Sequence, residues 1–265
     1  MGPDQWQKLV LDDWLGERAG KWASLTCGLS VPRQNGKNGV LEIREIFGMV
    51  GLGEKILHTA HEVKTAQKHF RRLKHFFGTK ANDPAAAYPE LNALVAQVRS
   101  VNGQEAIFLK AGGSIEIVAR SKNSSRGFTV DVLVFDEAQE LDEDAKEALI
   151  PTTASAPLGN PQWIYTGTPP GPNAQGDAFT RTRTEALDGP RKRISWIEWS
   201  VPEGDVDIND EALAYATNPQ LDRPRPNGSF GLQWEIVEGE RGELSPDGFA
   251  RERLGQWPAV TSTTS

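Results

Sequence analysis

Lys37 closes a polar turn, Ser30-Val31-Pro32-Arg33-Gln34-Asn35-Gly36-Lys37-Asn38, set between an apolar run and a helical pattern. A glycine and an ammonium at the start of a helix suit an anion. Backbone N–H groups at the helix N-terminus face the charge, and the lysine reaches the outer phosphates of a nucleotide. The general phosphate-loop pattern G-x-x-x-x-G-K-[ST] is only partly met, because Val31 holds the first glycine place and Asn38 the Ser/Thr place. Valine does not readily supply φ > 0, so this turn must be built differently. Asn38 offers a cation a carbonyl instead of a hydroxyl. The plainer reading of the stretch is a polar turn capping a helix.

A second pair changes that balance. Asp136 and Glu137 end the apolar run 130–135. In open α/β sheets the ligand crevice lies at the carboxyl ends of parallel strands. Asp136 is therefore placed to hold Mg²⁺, which takes one or two carboxylates together with phosphates. Glu137 is placed to orient the attacking water in phosphoryl transfer. Alone, the two acids would read as an ordinary acidic helix start. Downstream, Thr166, Gly167 and Thr168 follow another apolar run, where hydroxyls could sense a γ-phosphate; a Gly/Pro turn explains them equally well. Near the N-terminus, Gln5 and Gln7 flank Trp6. A glutamine amide matches the N6/N7 edge of adenine, although a surface glutamine is the simpler account.

These groups need a framework, and the hydrophobic patterning supplies one. Strands are expected at 23–29, 55–60, 130–135, 162–165 and 194–201, and helices at 1–18, 62–77, 142–150 and 174–187. Behind the loop, Val40, Leu41, Ile43, Ile46, Phe47 and Val50 mark the inward face of a further helix. Three short strands at 97–101, 106–109 and 114–118, with glycines at the turns, read as a hairpin-like insertion. The helix at 62–77 turns Val63, Ala66, Phe70, Leu73 and Phe77 inward and carries Lys64, Lys68, Arg71, Arg72 and His75 on its other face. Such a stripe suits a phosphate backbone or is simply solvated. Residues 120–127 form a basic loop. After 201 the composition turns to glycine, proline and acids, with one helix at 210–217 and a last one at 245–254, capped by Ser245 with Pro246 at its first position.

The expected fold is α/β, a P-loop NTPase with a mainly parallel sheet flanked by helices. The core would span 1–201, a small lid subdomain 202–260 and a disordered tail 261–265. Composition is ordinary for a globular chain, 38% hydrophobic and 25% charged. No apolar run is long enough to span a membrane. The net charge of −7 argues against general coating of nucleic acid. The single cysteine, Cys27, cannot form an internal disulfide and reads as packing. His58, His61, His69 and His75 lack convincing zinc spacing, so no metal is expected there.

With these pieces in order, the chain resembles the ATPase domain of the large terminase of tailed phages of the HK97-like kind. Trp6-Gln7-Lys8-Leu9-Val10-Leu11 resembles the adenine motif of that family, and Val31-Pro32-Arg33-Gln34-Asn35-Gly36-Lys37 its variant Walker A. Thr59-Ala60-His61-Glu62-Val63-Lys64-Thr65-Ala66 resembles the segment after the second strand. Val134-Phe135-Asp136-Glu137-Ala138 resembles the Walker B, Thr166-Gly167-Thr168-Pro169 the coupling motif, and Phe249-Ala250-Arg251-Glu252-Arg253-Leu254-Gly255 the element closing the ATPase half. The resemblance implies a RecA-like, additional-strand motor that hydrolyses ATP with Mg²⁺ and drives double-stranded DNA into a capsid. It implies a pentameric homo-oligomeric ring docked on the portal protein, DNA delivered by a small terminase subunit, and action in the host cytoplasm.

By family position, Pro32, Gln34, Asn35 and Gly36 would cradle nucleotide, Lys37 and Arg33 would contact phosphates, and Asn38 would join Asp136 at Mg²⁺. Arg126 would be an arginine finger offered to a neighbouring subunit. The family's nuclease lies beyond the junction at which this chain stops, so DNA cleavage is not expected of it. Two other functions share the loop and the acidic pair: a helicase-type ATPase, which needs a second RecA-like domain, and a nucleotide-binding interaction module without turnover.

Overall fold

The computed structural model describes the chain apart from residues 1, 102, 121–126, 190–192, 226–227 and 259–265. Helix α1 (Gln5–Trp14) leads into a small hairpin, β1 (Glu17–Arg18) and β2 (Lys21–Trp22), and then β3 (Thr26–Ser30). The loop delivers α2 (Lys37–Phe47), followed by β4 (Lys55–Ala60), α3 (Val63–Phe77) and α4 (Pro89–Asn92). Next come β5 (Val95–Arg99), β6 (Glu105–Leu109), β7 (Ser114–Ala119), β8 (Val132–Phe135) and α5 (Glu143–Leu149). The chain continues through β9 (Gln162–Gly167), α6 (Asp177–Leu187), β10 (Ile194–Glu198), α7 (Glu211–Thr217), α8 (Trp234–Glu243) and α9 (Pro246–Leu254).

One eight-stranded sheet organises these elements, in the order β10-β3-β9-β8-β4-β7-β6-β5. The strands from β10 to β7 run parallel, while β6 and β5 are antiparallel additions. The mostly parallel α/β class read from sequence is the class observed. Its central strands β3, β9, β8 and β4 are buried on both faces, which requires apolar residues at successive positions and not only at alternate ones. In β8, Val132 and Val134 join the core beneath α1, α2 and α3, whereas Leu133 and Phe135 join the core with Tyr165 and Phe179 on the opposite face. A third apolar cluster gathers Val201, Leu221, Val237, Phe249 and Leu254 from the C-terminal helices.

Several expectations shift. The N-terminal helix stops at Trp14, short of residue 18, because the backbone turns through Ala19 and Gly20 at positive φ to form the β1–β2 hairpin. Strands β5 to β7 are not an insertion, because β7 pairs in parallel with β4 and extends the main sheet. The loop helix ends at Phe47 in a π-helical turn (Gly48–Leu52), which leaves Phe47 and Val50 exposed where periodicity predicts an inward face. Val63, at the first turn of α3, is likewise exposed. Helix α8 is not expected from sequence: Gly239 and Gly242 lower its intrinsic propensity, and the Val237 contacts in the third cluster outweigh them.

Close approach explains one glycine. A Cβ on Gly28 in β3 would lie 2.2 Å from the Trp196 ring on β10. Its neighbour Cys27 is fully buried, and burial pushes the thiol well above its ordinary pKa. Among the described residues, no helix is long and apolar enough to cross a membrane.

Candidate active site

The missing glycine at Val31 is answered by the loop's own geometry. Val31 is buried at the end of β3, and the left-handed conformations fall later, at Gln34 (φ 66°) and Gly36 (φ 90°). Asn35 holds the turn from inside. Its amide donates to the carbonyls of Pro32 (3.1 Å) and Arg33 (3.3 Å) and to Asn218 Oδ1 (2.8 Å), and its Oδ1 accepts from the Gln220 N–H (3.1 Å). Gly36 caps α2, and Gln7 Nε2 reaches across from α1 to its carbonyl at 3.2 Å. Lys37 begins the helix and folds back so that Nζ donates to the Val31 carbonyl at 2.8 Å. Burial lowers its pKa to about 8, with the Asp136 carboxylate acting in the opposite direction. Arg33 leans away from the loop to pair with Glu252 of α9 at 2.7 Å.

The acidic pair is built by strand pairing. Asp136 follows β8, and its N–H donates to the Thr59 carbonyl of β4 at 2.9 Å. Its Oδ1 accepts from Thr166 Oγ1 and from the Glu137 N–H, each at 2.9 Å. Glu137 then turns into the left-handed region (φ 52°, ψ 50°), a conformation rare for a residue with a Cβ. Arg120 braces that turn: Nη1 donates to the Asp136 carbonyl (2.7 Å) and Nη2 to the Glu137 carbonyl (2.9 Å). Burial and the neighbouring Asp136 charge raise the Glu137 carboxyl, while a hydrogen bond from Thr65 and the Arg120 charge oppose them. At the end of β9, the Thr168 N–H donates to Gln139 Oε1 at 3.3 Å, and Gly167 packs against the same glutamine.

These groups border one open cleft of about 640 Å³. Arg33, Gln34, Gly36, Lys37 and Asn38 line it together with Asp136, Glu137 and Thr168. Pro32, Asn35 and Thr166 are buried behind this lining. Gln7 touches the loop, but Gln5 is exposed at the first turn of α1, away from the contact its neighbour makes. Arg126 lies outside the described residues.

Other members are not evident in the sequence. Thr65, Lys68, Arg72, Gln139 and Arg225 share the cleft lining, and Arg120, which reads in sequence as part of a basic loop, braces the acidic turn. Only the spacing of Lys68 and Arg72 on α3 gives any signal. Behind Asp136 lies a fully buried trio, Glu45, His58 and His69.

A mostly parallel sheet with a Gly-Lys loop after one strand and an Asp-Glu pair after another is the arrangement of a P-loop α/β fold. Among solved structures, the chain shares the fold of the ATPase domains of phage large terminases. The HK97 large terminase superposes with a TM-score of 0.74 at 18% identity, over 97% of this chain and 51% of that one. The Thermus phage P74-26 large terminase ATPase domain gives 0.56 at 15% identity, over 97% and 94%. The large terminase of another thermophilic bacteriophage, in complex with ADP, gives 0.60 at 14%, over 96% and 53%. A further structure of that enzyme contains ATP-gamma-S. The chain therefore spans about half the length of the HK97 protein and of the ADP-bound one. No protein-family model matches the sequence, and no curated protein matches it either.

Proposed function

We propose that this chain is the ATP-hydrolysing motor domain of a DNA-packaging terminase, coupling Mg²⁺-dependent hydrolysis to translocation of double-stranded DNA into a capsid. One observation carries the reading: Lys37 and the Asp136–Glu137 pair, distant in sequence, border a single cleft. Its volume falls in the range of small-molecule and cofactor sites. The fold shared with terminase ATPase domains gives this cleft its packaging context.

In this reading, the loop N–H groups and Lys37 hold the β- and γ-phosphates, and the Gln7 amide at Gly36 lies where adenine would be recognised. Arg33 exchanges Glu252 for phosphate. Among the described residues, both hydrogen bonds to the Asp136 carboxylate end on Oδ1, so Oδ2 is the oxygen proposed to face a cation. With Asn38 Oδ1 and phosphate oxygens this makes a hard, all-oxygen donor set, which fits Mg²⁺. Bound there, the cation would neutralise charge developing on the phosphates. Glu137 orients the attacking water, and Thr166 ties Asp136 to β9, so that Thr166, Gly167 and Thr168 relay phosphate loss along that strand. Arg126 is proposed to complete a neighbour's site within a homo-oligomeric, pentameric ring. The partners are double-stranded DNA, a portal protein and a small terminase subunit, met in the host cytoplasm. Residues 202–260 are proposed to act as a lid over the nucleotide.

Replacing Glu137 tests the assignment. Glu137→Gln should retain Mg²⁺–ATP binding within a few-fold and lose at least roughly 10²-fold in phosphate release. Turnover near the parent value would remove Glu137 from the reaction, and absence of nucleotide binding by the parent would remove the ATPase reading.

A further inference from the structure

Behind the acidic pair, on the side away from the cleft, three buried ionisable residues from three elements meet. Glu45 lies on α2, the helix begun by Lys37; His58 lies on β4 and His69 on α3. One carboxylate grips both rings: Glu45 Oε1 lies 2.7 Å from His58 Nδ1, and Oε2 lies 2.6 Å from His69 Nε2. The rings stack nearly parallel, with centroids 3.9 Å apart and 9° between planes. The far nitrogen of His58, Nε2, is buried without a hydrogen bond among the described residues and lies 3.9 Å from Asp136 Oδ2.

Sheet register explains the aim. His58 pairs with Val134 of β8, and side chains two positions apart share a face, so Asp136 stands diagonally beside His58. A buried charge persists only with partners. Burial alone would raise the Glu45 carboxyl, but the two imidazoles outweigh it and hold the group at about 2. A carboxylate and two histidines would also serve a transition metal, yet the geometry disfavours one. Parallel stacked rings direct the in-plane N–H bonds of His58 Nδ1 and His69 Nε2 side by side towards Glu45, whereas a shared ion requires deprotonated nitrogens whose lone pairs converge on it at roughly 2.0–2.2 Å. Among the described residues, His69 Nδ1 also lacks the outer partner that metal-binding histidines ordinarily have.

We propose that the Glu45–His58–His69 cluster is a positioning device for Asp136, holding His58 Nε2 behind Oδ2 and confining that oxygen to the cation side of the cleft. Glu45 thereby ties the helix that starts with the phosphate-binding lysine to the strand beside the metal-binding acid. His69 adds α3, whose Thr65 reaches Glu137. The inference rests on the nucleotide reading above. It assigns to residues outside the cleft the fit between the phosphate-binding and cation-binding halves.

The test compares the affinity of a fluorescent methylanthraniloyl-ATP in MgCl₂ with that in EDTA, for the parent, His58→Asn, His58→Gln and Glu45→Gln. Asparagine retains a polar atom near the Nδ1 position, facing Glu45, and loses the one facing Asp136; glutamine does the reverse. The Mg²⁺-dependent gain in affinity should fall about 10- to 100-fold in His58→Asn and Glu45→Gln. It should be largely kept in His58→Gln, with all EDTA affinities within twofold of the parent. If Glu45→Gln fails to fold, the two His58 variants decide alone. Equal losses in His58→Asn and His58→Gln that track their melting temperatures would overturn the proposal, as would an unchanged Mg²⁺ gain in His58→Asn. One equivalent of tightly bound zinc, lost in Glu45→Gln, would overturn it in favour of a metal centre. A parent without any Mg²⁺-dependent gain would bring down the nucleotide reading and this inference together.

Discussion

Lys37 carries a pH dependence that can be worked out in advance. In the free protein burial lowers it to about 8. If the cleft takes a nucleotide, as proposed, the ammonium is the form that attracts phosphate, so binding raises the pKa again. Binding above that pH must then take up a proton. Nucleotide affinity should be flat in this group's contribution below about pH 7 and should weaken as pH rises through 8, approaching tenfold per unit. Titrations of methylanthraniloyl-ATP between pH 7 and 9.5 check this; a level profile would mean that the lysine is not at the phosphates. The residues that build the site divide by how they could be found in sequence. Lys37, Asp136 and Glu137 announce themselves because a Gly-Lys turn and an acidic strand end are local patterns. Arg120, Gln139 and Thr65 do not, since each acts through a contact made by folding and sits in an otherwise ordinary polar stretch.

At the level of elements, the buried face of α2 is the main departure from hydrophobic patterning. Val40 and Leu41 are buried as the periodicity requires, but so are Glu42, Arg44 and Glu45. Charged residues are read as solvent-facing unless their partners are known, and here the partners come from other elements. Arg44 makes a bidentate pair with Glu54 ahead of β4 (2.6 and 3.1 Å) and donates to Gln162 Oε1 of β9 (3.1 and 3.0 Å). Gln162 in turn donates to the Trp14 carbonyl closing α1 (2.8 Å). The segment ahead of β4 and the first residue of β9 thus meet at one guanidinium on α2, and Gln162 extends the network to the end of α1. Glu54→Ala leaves that charge buried without its carboxylate and should destabilise the chain by about 3–5 kcal/mol. Urea denaturation followed by circular dichroism measures it; a loss below about 1 kcal/mol would show that water relieves the charge. Element types were legible because strands buried on both faces give unbroken apolar runs. Sheet order was less so: nothing in residues 114–118 announces that β7 lies beside β4.

For the molecule as a whole, the C-terminal helices are fastened to the loop ahead of α2 by polar contacts. Asn218 and Gln220 hold Asn35, and Arg253 Nη1 donates to the Arg33 carbonyl at 3.0 Å. Those contacts lie more than 180 residues apart in sequence, which is why composition alone separated the two regions. If the catalytic unit is a ring, as proposed, specific ATPase activity should climb with protein concentration. Arg126→Ala should keep nucleotide affinity yet lose on the order of 10³-fold in turnover. Mixing it with Glu137→Gln chains should restore part of the rate, because each variant supplies what the other lacks. Activity independent of concentration, and unimpaired in the arginine variant, would point to a self-sufficient monomer.

Cys27, sealed inside the sheet with its thiol held protonated, has a practical corollary. A second cysteine engineered on the surface would be the only one open to maleimide chemistry, without first removing the native sulfur. Single-dye labelling on α9 and on the rim of α3 is therefore available in an otherwise unaltered chain, and dye environments at those two places could be followed through a turnover cycle.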